Sequence, residues 1–328
     1  MENENTNPGY VIIQRRPSIE TYENAVKRIV YLEEIIQLLK LNKAYYKGYK
    51  NCRGLIGATA SIAWLPIYDK TYELIAYREE KRWGTERIMN NESVKMVDKL
   101  CPSTFDNYDF KNNHNRLTPN SPCPILYGIR GDEVNELKKA FCLVKSEPVN
   151  SWIIFETNQG TDDHLQRKNI SEIKPYQSII AEGIVSKNPH TIKGGHVIFT
   201  IGDELTGKIQ CTAYEPTKQF RNIIRELFVG DVIEVYGSVR EKPLTINIEK
   251  INVKNLIEKV EKIENPVCPI CGKHMKSKGK NQGYKCISCK TKSKKPVEKE
   301  KERNLSIGYY EVPVCARRHL SKPLKRSK

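Results

Sequence analysis

The chemistry most plainly written in the chain is metal binding. Cys268 and Cys271 form one Cys-x-x-Cys pair, Cys286 and Cys289 form a second, and 14 residues lie between them. A pair with this spacing turns back so that both sulfurs face one ion, and two pairs supply four thiolates, a closed tetrahedral shell for zinc. Such a shell leaves no coordination position open, so the zinc is expected to be structural. A second dense cluster is TNQGTDDHL, at 157 to 165, directly after the apolar run at 152 to 155. Nearly every side chain there is a donor, an acceptor or a possible ligand, with Asp162, Asp163 and His164 as candidate catalytic groups. Capping of the strand end by side chain to backbone bonds accounts for the same composition, so both readings stand.

Charge points to a polyanionic partner. Of the net +16, residues 265–328 carry +14, from 18 Lys and Arg against four Glu, whereas the first 264 residues hold 37 against 35. A basic block at one end is the electrostatic footprint of nucleic-acid binding. Within it, Lys273, Lys276, Lys278 and Lys280 cluster between the cysteine pairs around Tyr284, and Arg317, Arg318 and His319 follow two tyrosines in the tail. These are the candidate RNA contacts, cations for phosphates and rings for bases. The charged linker at 291–304 separates the tail from the cysteine unit, so the tail is expected to dock elsewhere on the protein. No run reaches the roughly 18 apolar residues of a membrane span, and MENENTNPGY lacks a secretory pattern. A cytoplasmic location with no membrane partner is expected, and the six cysteines outside the pairs are expected to be buried thiols.

At 328 residues the chain is long enough for several cores. Apolar residues at helical spacing predict one long amphipathic helix over Ser18–Leu41, after a strand at Tyr10–Ile13. Helices at Leu55–Leu65, Ser93–Leu100 and Asp132–Val144 alternate with strands at Thr71–Tyr77, Pro124–Ile129 and Ser151–Glu156, an α+β sandwich of ferredoxin-like type. Five strands then follow, at Ile179–Val185, His196–Ile201, Gly207–Ala213, Asp231–Val239 and Leu244–Val253, with a helix at Lys218–Leu227 before the fourth. That order is that of an OB-fold β-barrel. The expected fold class is therefore α+β multidomain: residues 51–165 ferredoxin-like, 166–256 OB-fold, 265–291 zinc ribbon and 292–328 basic linker and tail.

RGLIGATASIAW (53 to 64), TYELIAYR (71 to 78), WGTERIMNNESV (83 to 94), CPILYGIRG (123 to 131), TNQGTDDHL, GGHVIF (194 to 199), AYEPTKQFR (213 to 221), the cysteine pairs and ARRHL (316 to 320) run in order over nearly the whole chain. Together they resemble the archaeal tRNA-Ile agmatinylcytidine synthetase family, TiaS. The resemblance implies an ATP-dependent ligase that attaches agmatine to the wobble cytidine of an isoleucine tRNA so that it decodes AUA. Asn158 and Gln159 then become candidate contacts for substrate or for ATP and its activating magnesium, and Asp69 and Arg130, read from the residues alone, are further candidates that structural ion pairs also explain. Family members open with an acidic Gly-Ile-Asp-Asp-Thr-Asp-Ser type motif in a kinase-like domain, which this chain lacks. Residues 1–50 then correspond to the closing part of that domain, and a separate N-terminal kinase-like polypeptide is an expected partner. The alternative function is a non-catalytic tRNA-binding protein built from the OB-fold and zinc ribbon.

Overall fold

The helical pattern at 18–41 is interrupted in three dimensions. In the computed structural model, which describes residues 7–203, 207–258, 260–279, 282–294, 297–300 and 303–327, two helices replace the single one expected. After β1 (Gly9–Ile12) come α1 (Ile19–Lys27) and α2 (Leu32–Leu41), then β2 (Tyr45–Gly48) and α3 (Gly54–Ala63). Ser18 caps α1 through its side chain, and Arg28 leaves the helix with extended backbone at φ −144° and ψ 171°. Glu34 stabilises the break, accepting from Arg28 Nη2 at 2.7 Å and from the Tyr31 backbone N–H at 3.0 Å. This caps the start of α2 and satisfies an N–H that a continuous helix would have bonded internally. Both helices then pack on α3, and Ile35 and Leu39 of α2 form a small core with Leu55 of α3.

The next unit is βαββαβ: β3 (Thr71–Arg78), α4 (Asn91–Leu100), β4 (Thr104–Phe105), the minor hairpin β5 (Tyr108–Asp109) and β6 (His114–Asn115), β7 (Ile125–Gly131), α5 (Val134–Leu143) and β8 (Val149–Thr157). The sheet order β4-β7-β3-β8, antiparallel throughout, is the ferredoxin-like order. Strand alternation sets the two faces of β3 apart. Leu74 and Ala76 point into the core with Val94, Val97, Leu126, Ile129 and Leu137. Glu73 and Ile75 face the other way, toward α1 and α3.

β9 (Gln166–Arg167) leads into the barrel of β10 (Ser178–Thr191), β11 (Val197–Asp203), β12 (Gly207–Ala213), α6 (Phe220–Arg225), β13 (Val232–Arg240) and β14 (Thr245–Asn255). Its order β11-β12-β14-β13-β10 closes through β10–β11, with β12 and β14 parallel, and α6 lies before the fourth strand as expected for an OB-fold. Isoleucines and valines alternating along these strands fill the barrel. Gly237 sits where a Cβ would lie 2.1 Å from the Asn247 carbonyl oxygen, so only glycine permits that strand approach.

The ribbon strands β16 (Lys276–Ser277), β17 (Tyr284–Lys285) and β18 (Lys292–Ser293) form one small sheet. The segment expected to be a linker, 291–304, instead carries β18 and β19 (Val297–Glu300), and β19 pairs with β15 (Val260–Glu264). β20 (Gly308–Glu311) adds to β14, so the tail joins the barrel sheet. Among the described residues no helix is long and apolar enough to cross a membrane. All ten cysteines are free, and of the six outside the ribbon Cys101 and Cys211 are buried whereas Cys142 is exposed, contrary to expectation.

Candidate functional site

Between the outward face of β3–β8 and helices α1 and α3 lies a cleft of about 520 Å³. Its helical wall is built from small residues, Gly57, Ala60 and Ser61, and a Cβ at Gly57 would meet nothing within 4 Å. Small side chains leave the space that larger ones would have filled. Tyr22, Trp64 and Phe155 also line the cleft, and Glu73 stands on the sheet wall. The register pairs Glu73 with Arg130 on one side and with Phe155 on the other, which brings all three to one face.

Glu73 is held at both oxygens. Arg130 Nε donates to Oε1 at 3.1 Å, and Gln159 Nε2 donates to Oε2. The second guanidinium nitrogen of Arg130 lies 2.7 Å from His319 Nδ1. Tyr22 ties the helices to the 157–165 segment: its hydroxyl donates to Asp163 Oδ2 at 2.7 Å and accepts from Asn158 Nδ2 at 2.8 Å. Burial, reinforced by the bond to Asp163, raises the Tyr22 phenol pKa, which keeps it a donor. Beneath Tyr22 a smaller cavity of about 200 Å³ is lined by Glu23, Tyr68, Asp69, Asp162 and Asp163.

The C-terminal tail is clamped across the ferredoxin-like sheet and the barrel. Asp69 accepts from Lys322 Nζ and Arg326 Nη2, each at 2.8 Å, and Arg326 Nε donates to Asp132 at 2.7 Å. Burial alone would raise the Asp69 pKa, but these cations outweigh it and hold the carboxyl below its ordinary range. Asp162 accepts from Lys250 Nζ at 2.8 Å and from the Lys322 backbone at 2.7 Å. The Gly160 and Asp162 N–H groups donate to the carbonyls of His319 and Leu320.

At the basic end the sulfurs of Cys268, Cys271, Cys286 and Cys289 all lie within 4.8 Å of one another, the one such group of three or more potential ligands among the described residues. Cys268 and Cys286 are buried, and four converging soft donors fit zinc.

Three family models match the chain: the TiaS FLD domain over residues 52–164, an OB-fold nucleic acid binding domain over 179–254 and the TiaS C-terminal zinc ribbon domain over 265–305. The isoleucine-tRNA 2-agmatinylcytidine synthetase TiaS of Methanocaldococcus jannaschii is 47% identical over 337 residues, covering 99% of this chain and 78% of the relative. The chain belongs to the TiaS family. Among solved structures, the complex of TiaS with its isoleucine tRNA and ATP is 43% identical with a TM-score of 0.87, covering 99% of this chain and 77% of that one. The complex of TiaS with the same tRNA, AMPCPP and agmatine is 41% identical with a TM-score of 0.85, at 99% and 78% coverage.

Within this TiaS-family fold the residues singled out from sequence separate into distinct places. Arg130 and Gln159 meet at Glu73, and Asn158, bonded to the Tyr22 hydroxyl, lines the same cleft. Asp69 instead anchors the tail, and Asp162 is committed to Lys250 and Lys322. His164 is 7% exposed and its imidazole pKa is lowered first by burial, so it sits as a neutral interior group and does not line the cleft. Of the three catalytic candidates, Asp162 and Asp163 line the smaller cavity together, and His164 lines neither cavity.

Among the RNA candidates, Lys273, Lys276 and Lys278 are exposed, while Lys280 lies outside the described residues. Tyr284 is 9% exposed and packs with Met275 and the cysteines, which removes its ring from stacking. Arg317 is buried between Asp106 and Glu311, whereas Arg318, half-exposed, pairs with Glu249. Sequence reasoning did not single out Tyr22, Trp64 or Glu73 as site residues. The one available signal was a carboxylate at the outward position of the apolar strand TYELIAYR.

Proposed function

We propose that the chain is an ATP-dependent ligase that attaches agmatine to the wobble cytidine of an isoleucine tRNA, acting in the cytoplasm. The observation that carries this reading is the Glu73 carboxylate on the wall of an aromatic-lined cleft. A carboxylate offers about four lone-pair directions, and Arg130 and Gln159 take two of them. The others suit a planar guanidinium entering from the cleft, with Tyr22, Trp64 and Phe155 offering ring faces to the cation. In this reading residues 51–165 hold the small substrate, with Tyr22 from the first 50 residues closing the cleft, and the units at 166–256 and 265–291 grip the tRNA.

Exposed Lys273, Lys276 and Lys278 supply phosphate contacts that weaken with salt. Magnesium neutralises phosphate charge in ATP-splitting reactions. Asp162 and Asp163 are bonded to protein donors, and no step is assigned to them.

Glu73→Gln keeps the shape and removes the charge. Agmatine affinity, measured by calorimetry, is expected to fall about 10- to 100-fold, the worth of one charge-assisted hydrogen bond. Affinity for the tRNA, measured by filter binding, should stay within about twofold. Unchanged agmatine binding in the variant would remove the cleft from the reading.

A further inference from the structure

Arg130 carries only donors. A guanidinium nitrogen 2.7 Å from His319 Nδ1 therefore requires that nitrogen to be an acceptor, so the imidazole is neutral with its proton on Nε2. The backbone of His319 is fixed independently, its carbonyl accepting from the Gly160 N–H at 2.7 Å, while the ring keeps a solvent-exposed edge. Arg130 in turn bonds Glu73, with side-chain exposures of 18% and 12%.

We propose that His319 is a positioning residue for the cationic substrate: its unprotonated Nδ1 holds Arg130 against Glu73 and so fixes the carboxylate that faces the cleft. This rests on the reading of the cleft as the agmatine site. It replaces the sequence expectation that His319 contacts RNA.

The surroundings favour the neutral ring. Burial comes first in lowering the His319 pKa, followed by Arg130; Arg116 acts in the same direction, and Glu73 and Asp106 oppose them. Protonation places an N–H against the guanidinium and adds a positive charge beside a site for a dication. Both effects weaken substrate binding. Because the docked pKa lies below the free value, the clamp is complete above the ordinary histidine range and is lost as pH falls through the depressed value.

Calorimetric titration of the zinc-loaded full chain with agmatine at pH 8 and pH 5 tests this, using the wild type, His319→Gln and His319→Ala. The glutamine keeps an acceptor and does not titrate. Wild-type affinity is expected to drop about tenfold more than that of His319→Gln between the two pH values, and His319→Ala to be about tenfold weaker already at pH 8. Parallel pH losses in wild type and His319→Gln overturn the proposal. So does a His319→Ala variant that loses tRNA affinity but keeps agmatine affinity at pH 8.

If the wild type binds no agmatine, the reading of the cleft fails, and nitrogen-15 NMR of the imidazole still decides the clamp. An Nε2–H tautomer whose low pKa rises in Arg130→Met supports it, and an ordinary titration indifferent to Arg130→Met overturns it.

Discussion

Removal of zinc is expected to unfold residues 265–294 while leaving the ferredoxin-like sheet and the barrel intact. The buried interior of this unit consists of Cys268, Met275, Tyr284 and Cys286, with Cys271 and Cys289 packed beside them. Four of these six are the ligands themselves, so little apolar burial remains once the metal is gone. Structural zinc in such units contributes about 10–16 kcal/mol of apparent binding energy at neutral pH, which is effectively their folding energy. The chelated protein, or Cys286→Ser, should show rapid amide exchange and proteolysis confined to this segment. Its tRNA affinity should fall with a shallower salt dependence, because exposed Lys273, Lys276 and Lys278 lose their common scaffold. Protected amides across 265–294 in metal-free protein would contradict the assignment.

Glu147→Leu is expected to destabilise the ferredoxin-like unit by about 3–5 kcal/mol, the cost of leaving a buried charge without its partner. Arg78 and Glu147 are fully buried side chains joined at 2.7 Å through Arg78 Nε. The remaining nitrogens of Arg78 donate to the Thr85 and Glu86 carbonyls, and Glu147 also accepts from the Ile88 N–H at 2.9 Å. Burial would raise the Glu147 pKa, but the bonds from Arg78 and Ile88 outweigh it and hold the carboxyl below its ordinary value. A depressed carboxylate stabilises the fold fully above the unfolded pKa, near about 4.3, and that contribution disappears as pH falls through the folded value.

Urea unfolding at pH 7 measures the loss. The double variant Arg78→Met with Glu147→Leu should recover most of it, because an apolar pair of similar volume carries no desolvation cost. A single-variant cost below about 1 kcal/mol would contradict this account of the pair.

Local pattern in this chain was readable to the extent that neighbours along the sequence set it. Alternating apolar residues located all five barrel strands, because a half-buried strand must alternate, and the cysteine spacing announced the metal shell, because two residues are what a turn between two ligands needs. The ordered motifs carried the family resemblance. Three things were decided only in space. The 18–41 pattern breaks at Arg28, where Glu34 caps the Tyr31 N–H at the start of α2 and pairs with the Arg28 side chain. The tail binds Asp69, Asp132 and Asp162, which lie far from it along the sequence and beside it in the fold. Glu73 and Arg130 meet because strand order and register pair them, and Gln159 from the loop after β8 and His319 from the tail then close on them. Alternation along a strand says which side chains share a face, but which strands become neighbours is set by packing of the whole unit, and a site made between strands is visible only there.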